Sequence, residues 1–227
     1  MGWCDACYNL DLRCGRVRLG PARQGTVRQG RVGYGMGPMA NSFDTDGRAQ
    51  LIARAVESGL IDPEHHAPLL ERLDHWARVS GVAPEDVLEE GAVGERERAW
   101  LKHWRKGVAQ NVCGLVYLGP FKRIGVPGVI DHMRAMAGAY LRQYVDARIV
   151  SLANATSWEY DGDPTVLLIP DSGESYHKTV TDRFGPLLID RARKRKITIV
   201  HFEQSNHYAR YGNSAAALLE SFARIQI

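Results

Sequence analysis

Near the middle of the chain the sequence reads Gly114-Leu115-Val116-Tyr117-Leu118-Gly119-Pro120, a short apolar run that a Gly-Pro pair ends. A continuous apolar run of this length is typical of a strand that is buried on both faces. Apolar residues at helical spacing follow between Val129 and Tyr144. The order of strand, loop and helix is the framework of a phosphate-binding loop.

Short apolar runs continue to alternate with helical patterns toward the end of the chain. Three more strands are predicted, at Arg148–Leu152, Thr165–Ile169 and Ile197–Val200. Helical spacing recurs over Val180–Arg191 and Ala215–Phe222. Because strands that alternate with helices form βαβ units, we predict an α/β core with a mainly parallel sheet that helices flank.

Composition divides the chain into three parts. Residues 1–47 are rich in Gly and Arg and lack helical periodicity, which predicts a basic, irregular arm. Residues 48–110 carry apolar residues at helical spacing, which predicts a helical region with helix starts at Asp46 and Asp62-Pro63. Residues 111–227 hold the predicted α/β core.

The composition also limits the class of protein. Apolar residues make up 44% and charged residues 24% of the 227 residues, as in ordinary globular proteins. No apolar run approaches the roughly 18 residues that cross a bilayer, so no membrane association is expected. The four cysteines, without a secretory signal, predict reduced thiols and a cytoplasmic protein. A net charge of +3 is too small to indicate nucleic-acid binding by itself.

The core resembles the DnaC/IstB family of AAA+ helicase loaders and transposition ATPases. Gly114–Pro120 is similar to the strand that leads into that family's Walker A loop, and Val166–Asp171 is similar to its Walker B strand. Phe184–Val200 resembles the next helix and the sensor strand, and Tyr211-Gly212 fits the start of the closing helix. The resemblance covers about half of the chain, from roughly Trp100 onward.

The loop that should bind ATP departs from the family's pattern. When the loop is aligned on Gly119, Ile124 stands at the last glycine. Gly125 and Val126 then stand at the Lys and the Ser/Thr, and alignment on Gly125 places Val126 and Pro127 there instead. A phosphate loop needs those residue types because an ammonium group binds the terminal phosphates and a hydroxyl binds magnesium.

Other positions that the family uses are also altered. The Walker B match keeps Asp171 but has Ser172 at the second acid. The polar position of the sensor strand holds His201 or Glu203, and only Arg224 is near the place of the family's arginine finger. We therefore predict no bound ATP or magnesium and no ATP hydrolysis. The degenerate nucleotide site would consist of Gly119, Lys122, Arg123 and Gly125.

The resemblance then implies a non-catalytic AAA+-like adaptor or loader-type protein that acts in DNA replication or transposition. It implies DNA and a replicative helicase or transposase-type protein as partners, and it leaves a homo-oligomer open.

The basic arm offers a second function, that of a plain nucleic-acid-binding protein. Six arginines and no acid lie between Leu12 and Phe43, and Trp3 and Tyr34 could stack on bases. A solvated tail remains the alternative. The candidate nucleic-acid-binding residues are Arg13, Arg16, Arg18, Arg23, Arg28 and Arg31. A second basic cluster, Arg191–Lys196, either binds nucleic acid or complements a helix dipole.

Two further patterns suggest a metal or an enzyme. Cys4, Cys7 and Cys14 have a spacing that could supply three zinc ligands, but no fourth ligand is evident nearby and spare thiols in a flexible arm are the simpler interpretation. Several His, Ser and acidic residues follow predicted strand ends, where sites of parallel sheets lie. They would form the site of a hydrolase or a metal-dependent enzyme, with Asp171, Ser172, His201 and Glu203 as catalytic candidates and Glu174, His177 and His207 beside them.

Overall fold

The computed structural model describes residues 45–122, 125–173 and 177–227. The strands are β1 (Gly114–Leu118), β2 (Ala147–Ile149), β3 (Val166–Ile169), β4 (Ile197–Phe202) and β5 (Ala223–Gln226). The helices are α1 (Thr45–Glu57), α2 (Ala67–Glu71), α3 (Leu73–Ser80), α4 (Pro84–Leu88), α5 (Glu95–Ala109), α6 (Val129–Arg142), α7 (Leu152–Ala155), α8 (Lys178–Arg193) and α9 (Asn213–Ser221). A 3₁₀ helix covers Ser205–Tyr211.

The five strands form one sheet in the order β2-β3-β4-β1-β5, and each neighbouring pair is parallel. In the register of β1, Tyr117 lies between His201 of β4 and Ile225 of β5. This topology confirms the predicted α/β fold with a parallel sheet. It also explains why β1 reads as a continuous apolar run, because its residues are covered on both faces of the sheet.

Helices cover the two faces of the sheet with different sets of side chains. On one face, Leu115 and Tyr117 of β1 pack with α6 residues such as Met133 and Tyr140. On the other face, Val116 belongs to a cluster that α7, α8 and α9 complete. Because successive strand residues point to opposite faces, the single apolar run of β1 supplies both halves of the core.

The helical region before the sheet packs on α6. Gly138 of α6 lies so close to α4 that a Cβ at this position would overlap the Asp86 carbonyl. On α5, the Trp100 indole donates a hydrogen bond to the Tyr140 hydroxyl at 2.7 Å. Trp104 donates in the same way to the side chain of Gln143 at 3.1 Å. These contacts bury the apolar side of α5 against α6. The domain boundaries predicted at residues 47 and 110 stay predictions.

Several local predictions were wrong. Asp46 lies inside the first turn of α1 and is not its N-cap. Asp62 and Pro63 do not begin a helix, because the Asp62 carboxylate accepts from the backbone N–H groups of Glu64 and His65 and closes a turn instead. The strand predicted over Arg148–Leu152 ends three residues early, since Leu152 begins α7.

The last difference concerns the edge of the sheet. The sequence interpretation extended the closing helix to Phe222 and missed β5, a four-residue strand that pairs with β1 at the edge of the sheet. In the part of the chain that the structure describes, no helix has the length and apolar character that a membrane span requires.

Candidate functional site

The carboxyl ends of β1 and β4 mark the place where a ligand site is expected. These neighbouring strands continue to opposite faces of the sheet, β1 into α6 and β4 through the 3₁₀ helix into α9. Open α/β sheets bind ligands in the crevice that such a reversal creates. The loop after β1 and the first turn of α6 therefore decide what this crevice can hold.

Two backbone N–H groups at the start of α6 have partners within the chain. The N–H of Gly128, the N-cap residue, donates to the Asp131 carboxylate at 2.9 Å. The N–H of Val129 donates to the Phe121 carbonyl at 3.3 Å. A helix that binds phosphate directs such N–H groups at the anion. Here the N–H groups of Gly128 and Val129 are occupied, and the Asp131 carboxylate adds a negative charge at the start of the helix.

Three of the four residues of the predicted nucleotide site lie in the described ranges. Gly119 has a φ of 137°, and a Cβ there would overlap the Ile227 carbonyl, so glycine is needed for the close approach of the segment after β5. Lys122 and Gly125 are exposed. Arg123 lies outside the described residues.

Ser172 and His201 are neighbours, but their contact is not a catalytic relay. The Ser172 hydroxyl donates to the His201 backbone carbonyl at 2.7 Å and accepts from the His201 backbone N–H at 2.9 Å. The His201 ring lies with Nε2 2.8 Å from the Gly119 carbonyl oxygen. A nucleophile must instead contact the ring of its base. Ser172 and His201 thus fasten β4 to the loops after β3 and β1.

The other residues predicted at the carboxyl edge of the sheet make separate contacts. The Asp171 carboxylate accepts from the Leu152 N–H at 2.7 Å at the start of α7. His177 is the N-cap of α8 and accepts from the Thr179 N–H at 3.3 Å. Glu203 is exposed. His207 is half-buried, whereas Glu174 lies outside the described residues. Over the described ranges, no three His, Cys, Asp or Glu side chains are grouped closely enough to hold a metal ion.

A buried acid and a histidine meet on the α6 side of the crevice, and the sequence interpretation missed them. Glu97 of α5 is only 3% exposed, and its carboxylate lies 3.0 Å from Nδ1 of His132. Burial by itself raises the pKa of Glu97, but the contact with His132 and the backbone N–H groups of Glu97 and Gly94 outweigh it, so the pKa lies below its usual value. Glu97 shares its helix face with Trp100 and Trp104, which was the available signal.

An open cavity of about 530 Å³ lies beside this pair. Val126 and Pro127 from the β1–α6 loop and Ile227 after β5 are among its lining residues, together with Glu97 and His132. The Tyr117 hydroxyl is buried behind them, and burial, with the Glu97 carboxylate, holds the pKa of Tyr117 well above its usual value. The contact between Glu97 and His132 joins α5 to α6 at the edge of the sheet.

The second basic cluster, at the end of α8, is largely paired. Arg191 is 2% exposed and lies 3.6 Å from the Asp163 carboxylate. Lys194 pairs with Asp190 at 2.7 Å, and Lys196 pairs with Asp163 at 2.6 Å. This pairing favours a structural role for these three residues over contact with nucleic acid.

Residues 1–44 of the predicted arm lie outside the described residues. This applies to the nucleic-acid-binding candidates Arg13, Arg16, Arg18, Arg23, Arg28 and Arg31 and to the zinc candidates Cys4, Cys7 and Cys14. A comparison with models of known protein families finds no match, and a comparison with curated proteins finds no significant similarity.

Proposed function

We propose that the chain is a non-hydrolysing AAA+-like adaptor or loader-type protein that acts in DNA replication or transposition. The observation that carries this proposal is the closed start of α6, where Asp131 and Phe121 occupy the N–H groups of Gly128 and Val129. Together with the resemblance of the core to helicase loaders, it favours a scaffold that kept the architecture of an ATPase without the means to hold ATP.

Electrostatics at this loop support the same conclusion. An ATP phosphate at the start of α6 would meet the Asp131 carboxylate, which is bonded to the Gly128 N–H, and repulsion between like charges opposes its binding. No Lys or Ser/Thr stands at the family's phosphate and magnesium positions in either alignment of the loop. The binding energy that a phosphate loop draws from these groups is therefore missing.

The adaptor would act through its surfaces. We expect DNA and a replicative helicase or a transposase-type protein as partners, and a homo-oligomer stays open. The function would place the protein in the cytoplasm.

A titration of the full chain with ATP and ADP in the presence of magnesium tests this proposal. Isothermal calorimetry should detect no binding tighter than a Kd of about 1 mM, and no phosphate should be released during prolonged incubation. A phosphate-loop ATPase measured in the same buffers serves as the positive control. Micromolar binding accompanied by turnover would refute the proposal.

A further inference from the structure

Helix α5 has two faces of opposite character. Its inner face packs on α6 and the sheet through residues at helical spacing, namely Glu97, Trp100, Leu101, Trp104 and Val108. Its outer face is exposed and carries five basic residues, namely Arg96, Arg98, Lys102, Arg105 and Lys106. The exposed acid on this helix is Glu95, at its first position. We call these five basic residues the α5 basic face.

Most of the positive charge on this face is not neutralised within the described part of the chain. Arg98 pairs with Glu90 at 2.7 Å. Lys102, Arg105 and Lys106 make no ion pair with any residue in the described ranges. This differs from the cluster at the end of α8, whose lysines pair with aspartates. Charges that lack an internal partner are available to an external one.

The side chains are also arranged along a line. Residues three and four apart on a helix have Cβ atoms about 5–6 Å apart on one side, which is the relation of Lys102 to Arg98, Arg105 and Lys106. The Arg105 guanidinium lies over the Trp104 ring at 4.7 Å from its centroid, which limits its freedom. A row of cations of this kind matches a backbone that carries one negative charge per nucleotide.

The composition of the face discriminates between two acidic partners, nucleic acid and an acidic protein. Interfaces with proteins depend on buried aromatic or large apolar anchors. The exposed residues between the basic side chains are Ala99 and His103, followed by Ala109 and Gln110 at the end of the helix. Trp104 is half-buried against α6. The face therefore offers charge and hydrogen-bond donors but no anchor, which suits phosphates.

From these observations we propose that the α5 basic face binds the phosphodiester backbone of nucleic acid, through Lys102, Arg105 and Lys106, without reading the base sequence. The inference rests on the proposed function, since it names the DNA-contacting surface of the adaptor. It is separate from the arginines of the arm, which would add their own contacts.

The salt dependence of binding gives a quantitative test. Each phosphate that a basic side chain neutralises releases counterions, so log K falls with log salt by about 0.9 per contact on duplex DNA and about 0.7 on single strands. The triple variant Lys102→Gln, Arg105→Gln, Lys106→Gln should therefore reduce the slope by about 2.7 on a duplex and by about 2.1 on a single strand.

The experiment measures fluorescence anisotropy of labelled duplex and single-stranded DNA of the same sequence with the full chain, over a series of KCl concentrations. A matched control removes the same charge elsewhere, from three exposed arginines of the helical region, with Arg54→Gln, Arg72→Gln and Arg78→Gln. Circular dichroism verifies that both variants are folded. The control should keep the parental slope, and a shuffled base sequence should bind the parent chain equally well.

Three results would overturn the inference. The α5 variant could keep the parental slope, the control could lose as much slope as the α5 variant, or the full chain could show no affinity for either DNA. The comparison of duplex with single-stranded DNA identifies which form presents the phosphates. The adaptor proposal fails on a different result, namely ATP binding with turnover, and the DNA-binding assay does not measure ATP turnover.

Discussion

Replacing Arg191 by methionine should destabilise the protein by about 4 kcal/mol. The guanidinium is buried between α8 and the start of the sheet and donates to four acceptors. These are the Thr198 hydroxyl at 3.0 Å and the carbonyls of Pro164 at 3.1 Å, Thr165 at 3.4 Å and Ile197 at 2.6 Å. Methionine fills part of the volume but removes all four hydrogen bonds from the guanidinium, and of these acceptors the Thr165 carbonyl keeps the Ile197 N–H as a donor. A buried acceptor left without a donor costs roughly 1–3 kcal/mol, so the loss of two such bonds accounts for about 4 kcal/mol.

Urea unfolding, followed by circular dichroism at constant pH, measures this loss. For a domain of this size each kcal/mol corresponds to about 2–4 °C, so the melting temperature should fall by about 8–16 °C. Arg193→Met makes the same chemical change two residues away at an exposed position and should alter stability by less than about 0.5 kcal/mol. If the Arg191 variant lost less than about 1 kcal/mol, the assignment of Arg191 as a structural link would be wrong.

Two further substitutions test the packing around α6. Gly138→Ala should destabilise the protein by about 3 kcal/mol, because the added methyl group overlaps the Asp86 carbonyl of α4. As a control, Gly47→Ala in open space on α1 should stabilise the protein by up to about 1 kcal/mol. Equal melting temperatures for the two variants would contradict the close α4–α6 contact. Glu97→Gln should cost about 1.5–3 kcal/mol at pH 7. Because the pKa of Glu97 is lowered in the folded state, its contribution is present above its usual value of 4.5 and is lost as pH falls below that value. The variant should therefore show a flatter decline of stability in acid than the parent or Glu95→Gln, and an unchanged acid profile would exclude this role.

The parallel α/β core was predictable because burial on both faces leaves a direct mark on the sequence. The apolar run Gly114–Leu118 and the helical stripe of α6 need no knowledge of neighbouring elements. Strand β5 was not predictable in this way, because it is short, lies at an edge and has only Ile225 fully buried. The turn at Asp62 was missed because the same residue type can cap a helix or close a turn.

The predicted catalytic residues stay predictions, but the structure shows which contacts the sequence could and could not indicate. Residues such as Ser172 and His201 do lie at or beside the carboxyl edge of the sheet, as strand order alone implies. Whether Ser172 contacts the ring or the backbone of His201 depends on side-chain and backbone dihedral angles, which the sequence does not specify. Glu97 was missed because its partner His132 is distant in the chain, and only the packing of α5 on α6 brings the two together.

The internal capping of α6 also bears on how the protein responds to the energy state of the cell. A ligand stabilises one conformation only if it binds that conformation more tightly than the others. The N–H groups of Gly128 and Val129 already have partners within the chain and do not need a bound anion. Under the proposed function, the core would keep the same conformation whether ATP is abundant or depleted, and its action would be controlled by the supply of the proposed partners.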